Sequence, residues 1–436
     1  MKPVNIGILG LGTVGRGTAE VLRANAAEIS RRLGRAVNVF MVSTRDEAKA
    51  RAACPPETLI TADPFEVVRH PEVDIVAEVF GGTEAAKELV LEAIRHGKHV
   101  VTANKKLLAE YGSEVFALAE EKNVMVQFEA AVAGGIPIIK ALREGLSANR
   151  IRSIAGIING TSNFILSEMR EKGSAFADVL KEAQALGYAE ADPTFDIEGN
   201  DAGHKITIMS ALAFGTPMNF PACYLEGISK LDSRDIKYAE ELGYRIKLLG
   251  ITRKTDKGIE LRVHPTLIPE SRLLANVNGV MNAVRVNADM VGETLYYGAG
   301  AGALPTASAV VADIIDIARL IEANTDHRVP HLAFQPAQVQ AQTILPMDEI
   351  TSSYYLRVQA KDEPGTLGQI AALLAKENVS IEALIQKGVI DQTTAEIVIL
   401  THSTVEKNIK RAIAAIEALS CVEKPITMIR MESLHD

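Results

Sequence analysis

The chain has 436 residues, of which 47% are hydrophobic and 23% charged, and it carries a formal charge of −9. That length exceeds one ordinary core, so two or three folded domains are expected; the acid excess disfavours nucleic acid or a membrane surface as the main partner. No apolar run is long enough to span a bilayer. Three scattered cysteines (Cys54, Cys223, Cys421) suggest neither a disulfide framework nor a zinc cluster, and with no cleavable signal ahead of the first strand they point to a reducing cytoplasm. The histidines group no better. His96 and His99 straddle Gly97, and His327 and His331 straddle Pro330, so structural roles are expected rather than metal ligation.

A short apolar strand over 4–9 runs into Gly10-Leu11-Gly12-Thr13-Val14-Gly15, a helical pattern continues to about Leu33, and the next strand covers 37–42. A glycine turn between a strand and a helix is a dinucleotide site: Gly10 permits the turn, Gly12 lets a pyrophosphate approach, and Gly15 lets helix and strand pack closely. The phosphates would meet free N–H groups at the helix N-terminus. The second strand ends in Val42-Ser43-Thr44-Arg45, with no acid for ribose hydroxyls, so Ser43 and Arg45 favour the 2′-phosphate of NADP over NAD. The competing reading of Arg45 is a loop cation paired with Asp46. Strands over 74–80, 98–102 and 124–128 alternate with helices over about 83–96 and 107–121, which predicts a doubly wound parallel sheet. Thr102 and Lys105 then fall at the ligand-facing carboxyl end of a strand.

Beyond Phe128, Glu129-Ala130-Ala131-Val132-Ala133-Gly134-Gly135-Ile136-Pro137 describes an irregular turn, read from its residues as a hinge. A strand over 151–158 ends in Asn159-Gly160-Thr161-Ser162-Asn163, where a helix begins with Thr161 or Ser162 as its cap. After a helix over about 175–186 come Gly187, Tyr188 and Glu190. The stretch 192–215 then sets Asp192, Asp196, Glu198 and Asp201 ahead of an apolar helix, with Asp201 and Lys205 four apart on one face of its wet end. The residues allow two readings of that end, a solvated collar or a functional device. Strands over 246–252, 259–266, 280–286 and 294–297 predict a mostly antiparallel sheet. A second glycine loop, 298–303, leads into a helix over 306–323.

A nicotinamide enzyme must hold a carbonyl and supply a proton to its oxygen. No Tyr-x-x-x-Lys pair, no Cys/His zinc set and no glycine-flanked cysteine nucleophile occurs, so lysine ammonium groups remain as acids. Glu190, Asp192, Asp196, Glu198 and Asp201 form an acidic surround suited to a substrate ammonium group. Together these favour a small amino acid carrying an aldehyde or an alcohol.

The segments GLGTVG, VTANK, AVAGGIP, NGTSNFIL, GYAEADPTFDIEGNDAGHK and YYGAGAGALPTASAVVADI resemble homoserine dehydrogenases over the first 325 or so residues. The resemblance implies reversible NAD(P)-dependent interconversion of L-aspartate 4-semialdehyde and L-homoserine, on the route to threonine, methionine and isoleucine. It implies Lys205 as proton donor and Lys105 as a second lysine near nicotinamide and substrate. It sets Glu190 and Asp201 on the substrate amino group with Gly187 and Tyr188 beside them, Gly160 and Thr161 next to its carboxylate, and Thr13, Val14 and Gly302 at the cofactor. It also replaces the hinge reading with a monovalent cation site, usually sodium, at Glu129, Val132, Gly134 and Ile136.

In the tail, strands over 354–360, 379–386, 395–401 and 425–431 with helices over 366–377 and 405–419 make a βαββαβ unit, and Asp362-Glu363-Pro364-Gly365 follows its first strand. This resembles an ACT domain, which implies amino-acid sensing and pairing between chains. The expected division is a Rossmann-type nucleotide domain over 1–135 completed by the helix 305–325, an α+β substrate and dimerisation domain over 136–304, a linker over 336–353 and a ferredoxin-like ACT domain over 354–432. The expected assembly is a homodimer or homotetramer with threonine as effector. A silent nucleotide and amino-acid sensor is the alternative, disfavoured by the presence of both lysines; a phosphoglycerate-type dehydrogenase lacks its histidine with an acidic partner.

Overall fold

The computed structural model describes residues 2–323, 328–391, 394–423 and 425–434, so His327 and the last two residues of the expected helix 305–325 lie outside the described residues. The chain forms two compact units. Unit 1 is Met1–Ile154, His204–Pro221 and Met281–Gln342; unit 2 is Ala155–Gly203, Ala222–Val280 and Thr343–Asp436.

Unit 1 opens with β1 (Val4–Leu9), α1 (Thr13–Ala24), α2 (Ala26–Leu33), β2 (Val37–Ser43), α3 (Glu47–Ala53), β3 (Leu59–Thr61) and α4 (Pro64–Arg69). It continues through β4 (Ile75–Glu78), α5 (Glu84–Arg95), β5 (His99–Thr102), α6 (Lys105–Glu121) and β6 (Val126–Gln127). The strands are parallel in the order β3-β2-β1-β4-β5-β6. All of β1, β4 and β5 is buried, as a sheet covered on both faces requires. The order reverses between β1 and β4, which makes the carboxyl ends there the ligand-binding edge. The single helix expected up to Leu33 is broken at Asn25, and Gly34, at φ 80°, closes the second piece. After a 3-10 turn at Glu129–Ala131 the chain makes α7 (Ile138–Lys140) and a π turn at Ala141–Gly145.

β7 (Ile151–Ile157) crosses from unit 1 to unit 2. Unit 2 then holds α8 (Gly160–Lys172), α9 (Phe176–Ala185) and α10 (Thr194–Ile197), and α11 (Asn200–Phe214) carries the chain back to unit 1. β8 (Tyr224–Leu225), α12 (Ser233–Glu241), β9 (Tyr244–Thr255) and β10 (Gly258–Pro269) belong to unit 2; β11 (Met281–Ala288) and β12 (Gly292–Ala299) form a hairpin in unit 1. The late helix, α13 (Ala303–Leu320), packs on α1 within unit 1, so closely that a Cβ at Gly17 would lie 2.7 Å from the Ala303 carbonyl oxygen.

The tail of unit 2 comprises β13 (Thr351–Lys361), α14 (Thr366–Lys376), β14 (Ile381–Asp391), β15 (Thr394–Thr401), β16 (Thr404–Val405), α15 (Glu406–Glu417) and β17 (Thr427–Met431). This is the expected βαββαβ order, with β13 starting inside the expected linker. Ile370 and Leu374 of α14 and Ile409 and Ile416 of α15 pack on Tyr354, Leu356 and Val358 of β13. β17 also pairs with β10, so in unit 2 one sheet runs β9-β10-β17-β13-β15-β14. No described helix is long and apolar enough to cross a membrane.

Candidate active site

The glycine turn of unit 1 has the geometry a dinucleotide needs. Gly10 sits at φ 88°, a conformation that side chains disfavour, and its N–H donates to Ser43 O at 3.1 Å, tying the turn to the end of β2. A Cβ on Gly15 would lie 2.0 Å from Gly10 O, whereas one on Gly12 would meet nothing within 4 Å. Gly12 is therefore open for approach and Gly15 closed by packing. Thr13 and Val14 begin α1, whose first turn holds no acid, so its N–H groups present positive potential to an anion. At the end of β2, Ser43 is buried and Arg45 exposed; Asp46 caps α3 and pairs with Lys49 at 2.9 Å, not with Arg45. Gly302, at φ 129°, caps the N-terminus of α13.

At the carboxyl ends of β4 and β5, buried Glu78 accepts from Thr102 Oγ1 at 2.6 Å and from Phe80 N at 3.0 Å. Asn104 caps α6 by accepting from Leu107 N and donates to Gly82 O at 2.7 Å. Lys105, half-buried, is consequently the first residue of that helix, two positions earlier than its expected start. Burial raises the Glu78 carboxyl above its usual range, against hydrogen bonds from Thr102, Phe80, Asn104 and Gly81 that oppose the shift.

Unit 2 gathers the acids. The cap of α8 is Asn159, not Thr161 or Ser162: its Oδ1 accepts from Ser162 N at 2.8 Å. Its Nδ2 donates to Asp196 Oδ1 at 2.7 Å and to Asp201 Oδ2 at 2.8 Å, so one amide holds two carboxylates together. Thr161 Oγ1 donates to Tyr188 O at 2.6 Å, and the Tyr188 ring leans on Phe164. Gly160 lies against Val280, where a Cβ would come within 2.8 Å of the carbonyl oxygen. Gly187 is at φ 76°, and exposed Glu190 is held through its carbonyl by Gln184. Asp192 is exposed and engaged with its own turn at Thr194, which keeps its carboxyl below the ordinary value.

The first turn of α11 is not the wet end the sequence suggested. Asp201 is 4% exposed and Lys205 9%, one turn apart on a helix that is buried at every position from Asp201 to Phe214. A buried acid and a buried lysine cost several kcal/mol each to desolvate. A solvated collar does not describe them.

The turn after β6 is buried and irregular, with Ala133 at φ 54° and Gly134 at φ 44°. Glu129 receives Ile139 N and Lys140 N on its two carboxylate oxygens, each at 2.8 Å, and donates its own N–H to Asp313 Oδ2 at 2.8 Å. Its carboxylate thus caps α7, and burial pushes its pKa up to about 7. The turn carries the backbone carbonyls of Val132, Gly134 and Ile136, the last of which accepts from Ile138 N at 2.8 Å. Among the described residues no group of three acids, histidines or cysteines gathers as a metal cluster.

Sequence reading missed Asn159 as the bridge and Glu78 as a buried acid. An Asn-Gly pair at a strand end was a usable cap signal for the first; an acid closing an apolar strand hinted at the second.

Comparison with known proteins shows the family. Residues 10–129 match the family model described as homoserine dehydrogenase, NAD binding domain; residues 137–315 match homoserine dehydrogenase, and residues 354–421 match the ACT domain. The chain is 86% identical over 436 residues to the homoserine dehydrogenase of Neisseria gonorrhoeae and 59% identical over 437 to that of Pseudomonas aeruginosa, covering 100% of both chains each time. A solved homoserine dehydrogenase from Thiobacillus denitrificans superposes with a TM-score of 0.95 at 62% identity, over 100% of this chain and 99% of the other. A hyperthermophilic archaeal homoserine dehydrogenase in complex with NADPH superposes with a TM-score of 0.63 at 32% identity, over 74% of this chain and 100% of that one.

Proposed function

The chain belongs to the homoserine dehydrogenase family and is an enzyme with that family's NAD(P)-dependent activity, and on that premise we propose how its residues divide the work. The reaction is reduction of L-aspartate 4-semialdehyde to L-homoserine and its reverse, within the biosynthesis of threonine, methionine and isoleucine. The cofactor, when bound, supplies or accepts the hydride. Lys205 gives the proton to the aldehyde oxygen as it becomes an alkoxide, and Lys105 assists beside the nicotinamide. Asp201 and Glu190 hold the substrate ammonium, with Asp196 keeping Asp201 in place through Asn159. Gly187, Tyr188, Gly160 and Thr161 complete the binding surface, the last two next to the substrate carboxylate.

One observation carries this reading. Asp201 is buried one helical turn before buried Lys205, and Asn159 draws Asp196 onto the same carboxylate. Asp201 thereby serves recognition while Lys205, one turn later on the same helix, serves proton transfer. Glu190→Gln should act mainly on KM.

Gly10, Gly12, Thr13, Val14, Gly15, Thr102 and Gly302 contact the cofactor, and Ser43 with Arg45 selects NADP. The homologue solved with NADPH supports that preference. Glu129, Val132, Gly134 and Ile136 would hold a monovalent cation, sodium, whose charge would steady this buried turn. The proposed domains are 1–135 completed by 305–325, 136–304, and 354–432 after the linker, in a cytoplasmic homodimer or homotetramer. Threonine binds the ACT domain, where a cavity of about 440 Å³ is lined by the Lys361–Leu367 turn, Gln386, Ala395 and Ile397. Parallel kinetics with NADPH and NADH, with and without threonine, test these statements together. Equal use of both cofactors would remove the role of Arg45, and saturating threonine without effect on activity or sedimentation would leave the tail a structural module.

A further inference from the structure

In unit 1 an acid stands where the fold puts its ligand edge, and no role has yet been given to it. Glu78 is the last residue of β4, completely buried, beside the point where the strand order reverses. Its carboxyl accepts from the Thr102 hydroxyl at 2.6 Å and the Phe80 N–H at 3.0 Å, and the Gly81 N–H and the Asn104 amide act on it in the same sense. A buried carboxylate is expensive, and nothing in strand packing requires one, since β4 is otherwise Ile75, Val76 and Ala77. Such a group at a ligand-facing edge marks a functional position.

The donors come from two loops. Phe80 and Gly81 begin the loop after β4, in which Gly81 and Gly82 take φ 78° and 80° although no atom lies within 4 Å of where their Cβ atoms would be. The bend is thus set by the backbone, not by crowding, and the Glu78 carboxylate receives the N–H groups at its start. Thr102 closes β5, and its Oγ1, besides donating to Glu78, accepts from Asn104 N at 3.0 Å. Asn104 reaches back to Gly82 O and caps α6, whose first residue is Lys105. The loop after β4 also backs the glycine turn: a Cβ on Gly10 would lie 3.2 Å from Phe80 Cα. Phe80 itself is 44% exposed, an apolar face presented at this edge.

We propose that Glu78 is a positioning residue for the hydride step: it clamps the loop after β4 to the turn after β5 and so fixes Thr102 and Lys105 against the nicotinamide end of the cofactor. This rests on the reading of unit 1 as the cofactor domain and of Lys105 as a reacting-site lysine. Removing the charge while keeping the shape should loosen both loops and spare the acidic cluster of unit 2. The deficit then falls on cofactor affinity and turnover, not on affinity for the semialdehyde.

The test compares full-length wild type with Glu78→Gln, Thr102→Val and Thr102→Ser. NADPH binding is followed by cofactor fluorescence without substrate, and kcat and KM for aspartate semialdehyde are measured alongside melting temperature. Glu78→Gln should weaken NADPH on the order of tenfold and lower kcat by tenfold or more, as sub-ångström misplacement does, with KM for the semialdehyde within about twofold of wild type. Thr102→Val should act in the same direction, and Thr102→Ser, which keeps the hydroxyl, should lose at least about fivefold less NADPH affinity and kcat than Thr102→Val. The double variant should be no worse than Glu78→Gln by more than about twofold, because both changes break one network. Wild-type NADPH affinity and kcat in Glu78→Gln, a deficit confined to semialdehyde KM, or fully additive effects would overturn the assignment. If Glu78→Gln does not fold, Thr102→Val against Thr102→Ser decides by the same readouts. A wild-type protein that binds NADPH but turns nothing over would sink the functional reading, while the binding comparison would still decide on the clamp.

Discussion

Replacing Asn159 with Asp changes one atom type at the centre of the acid cluster and should be decisive. Oδ1 still accepts from Ser162 N, so the α8 cap survives, but the donor to Asp196 and Asp201 becomes an oxygen 2.7 to 2.8 Å from two carboxylate oxygens. At an effective dielectric of about 20, each such contact between like charges costs about 6 kcal/mol, several times the roughly 1.4 kcal/mol of one pKa unit. The three carboxylates therefore share a proton, or the cluster opens. The added acid has a folded-state pKa raised above the unfolded value near ~4, so the stability deficit is smallest at acid pH and grows as pH rises from about 4 towards 7. Asn159→Ala removes the same donor without adding charge; it loses a cap worth about 1 kcal/mol and should show a much smaller widening with pH, since only the hydrogen bonds to the two carboxylates are lost. The assays are melting temperature across that pH range and kinetics of homoserine oxidation. For Asn159→Asp we expect a KM for homoserine raised on the order of tenfold or more, because the carboxylate meant for the ammonium is displaced or protonated. A pH-independent deficit together with wild-type KM would refute both the bridge and its place in substrate recognition.

Three further outcomes follow from the geometry. Gly12→Ala should melt like wild type yet bind NADPH at least about tenfold more weakly, whereas Gly15→Ala should lose both stability and binding, because only the second Cβ meets a backbone oxygen at 2.0 Å; equal behaviour of the two would contradict the phosphate-turn reading. Lys105→Met should lower kcat by a factor on the order of 10² with an unchanged melting temperature, measured by steady-state kinetics and thermal unfolding. His99 is buried, its Nδ1 accepts from Met125 N at 2.9 Å, and burial lowers its pKa to about 4. The folded pKa lies below the unfolded value, so stability is lost as pH falls from about 6.5 to 4, by on the order of 3 kcal/mol from this group; His99→Asn should flatten that part of the stability profile, and an unchanged profile would show that His99 is not the titrating group.

What the sequence disclosed and what it hid have physical reasons. The parallel sheet and the tail were legible because buried strands and amphipathic helices write their periods into the chain: β4 is apolar up to its closing Glu78, and β13 alternates over the α14 and α15 core. Helix α12 was not anticipated, and a mostly strand pattern was expected there. Of its nine residues only Asp235, Ile236 and Ala239 are buried, so its inner face looks polar. Asp235 is accommodated by Arg357 at 2.5 Å and by Tyr355 at 3.0 Å, residues more than a hundred positions away that no local pattern reveals. The same holds at the site. The residue types were visible as an acid-rich stretch before an apolar helix, but the burial of Asp201 and Lys205 and the bridging role of Asn159 arise from tertiary packing. The proposed cation site rests on resemblance alone, since small residues with a glycine pair equally describe a hinge.

In the proposed mechanism Lys205, buried one turn after Asp201, donates the proton in semialdehyde reduction. Its most direct measurement is the rate of NADPH consumption, followed by nicotinamide absorbance with aspartate semialdehyde, for wild type and Lys205→Met of equal melting temperature. The account predicts steady turnover in the wild type and a kcat lower by a factor on the order of 10² or more in the variant, with NADPH affinity retained. A flat wild-type trace with either cofactor, or near-normal turnover in Lys205→Met, would contradict it.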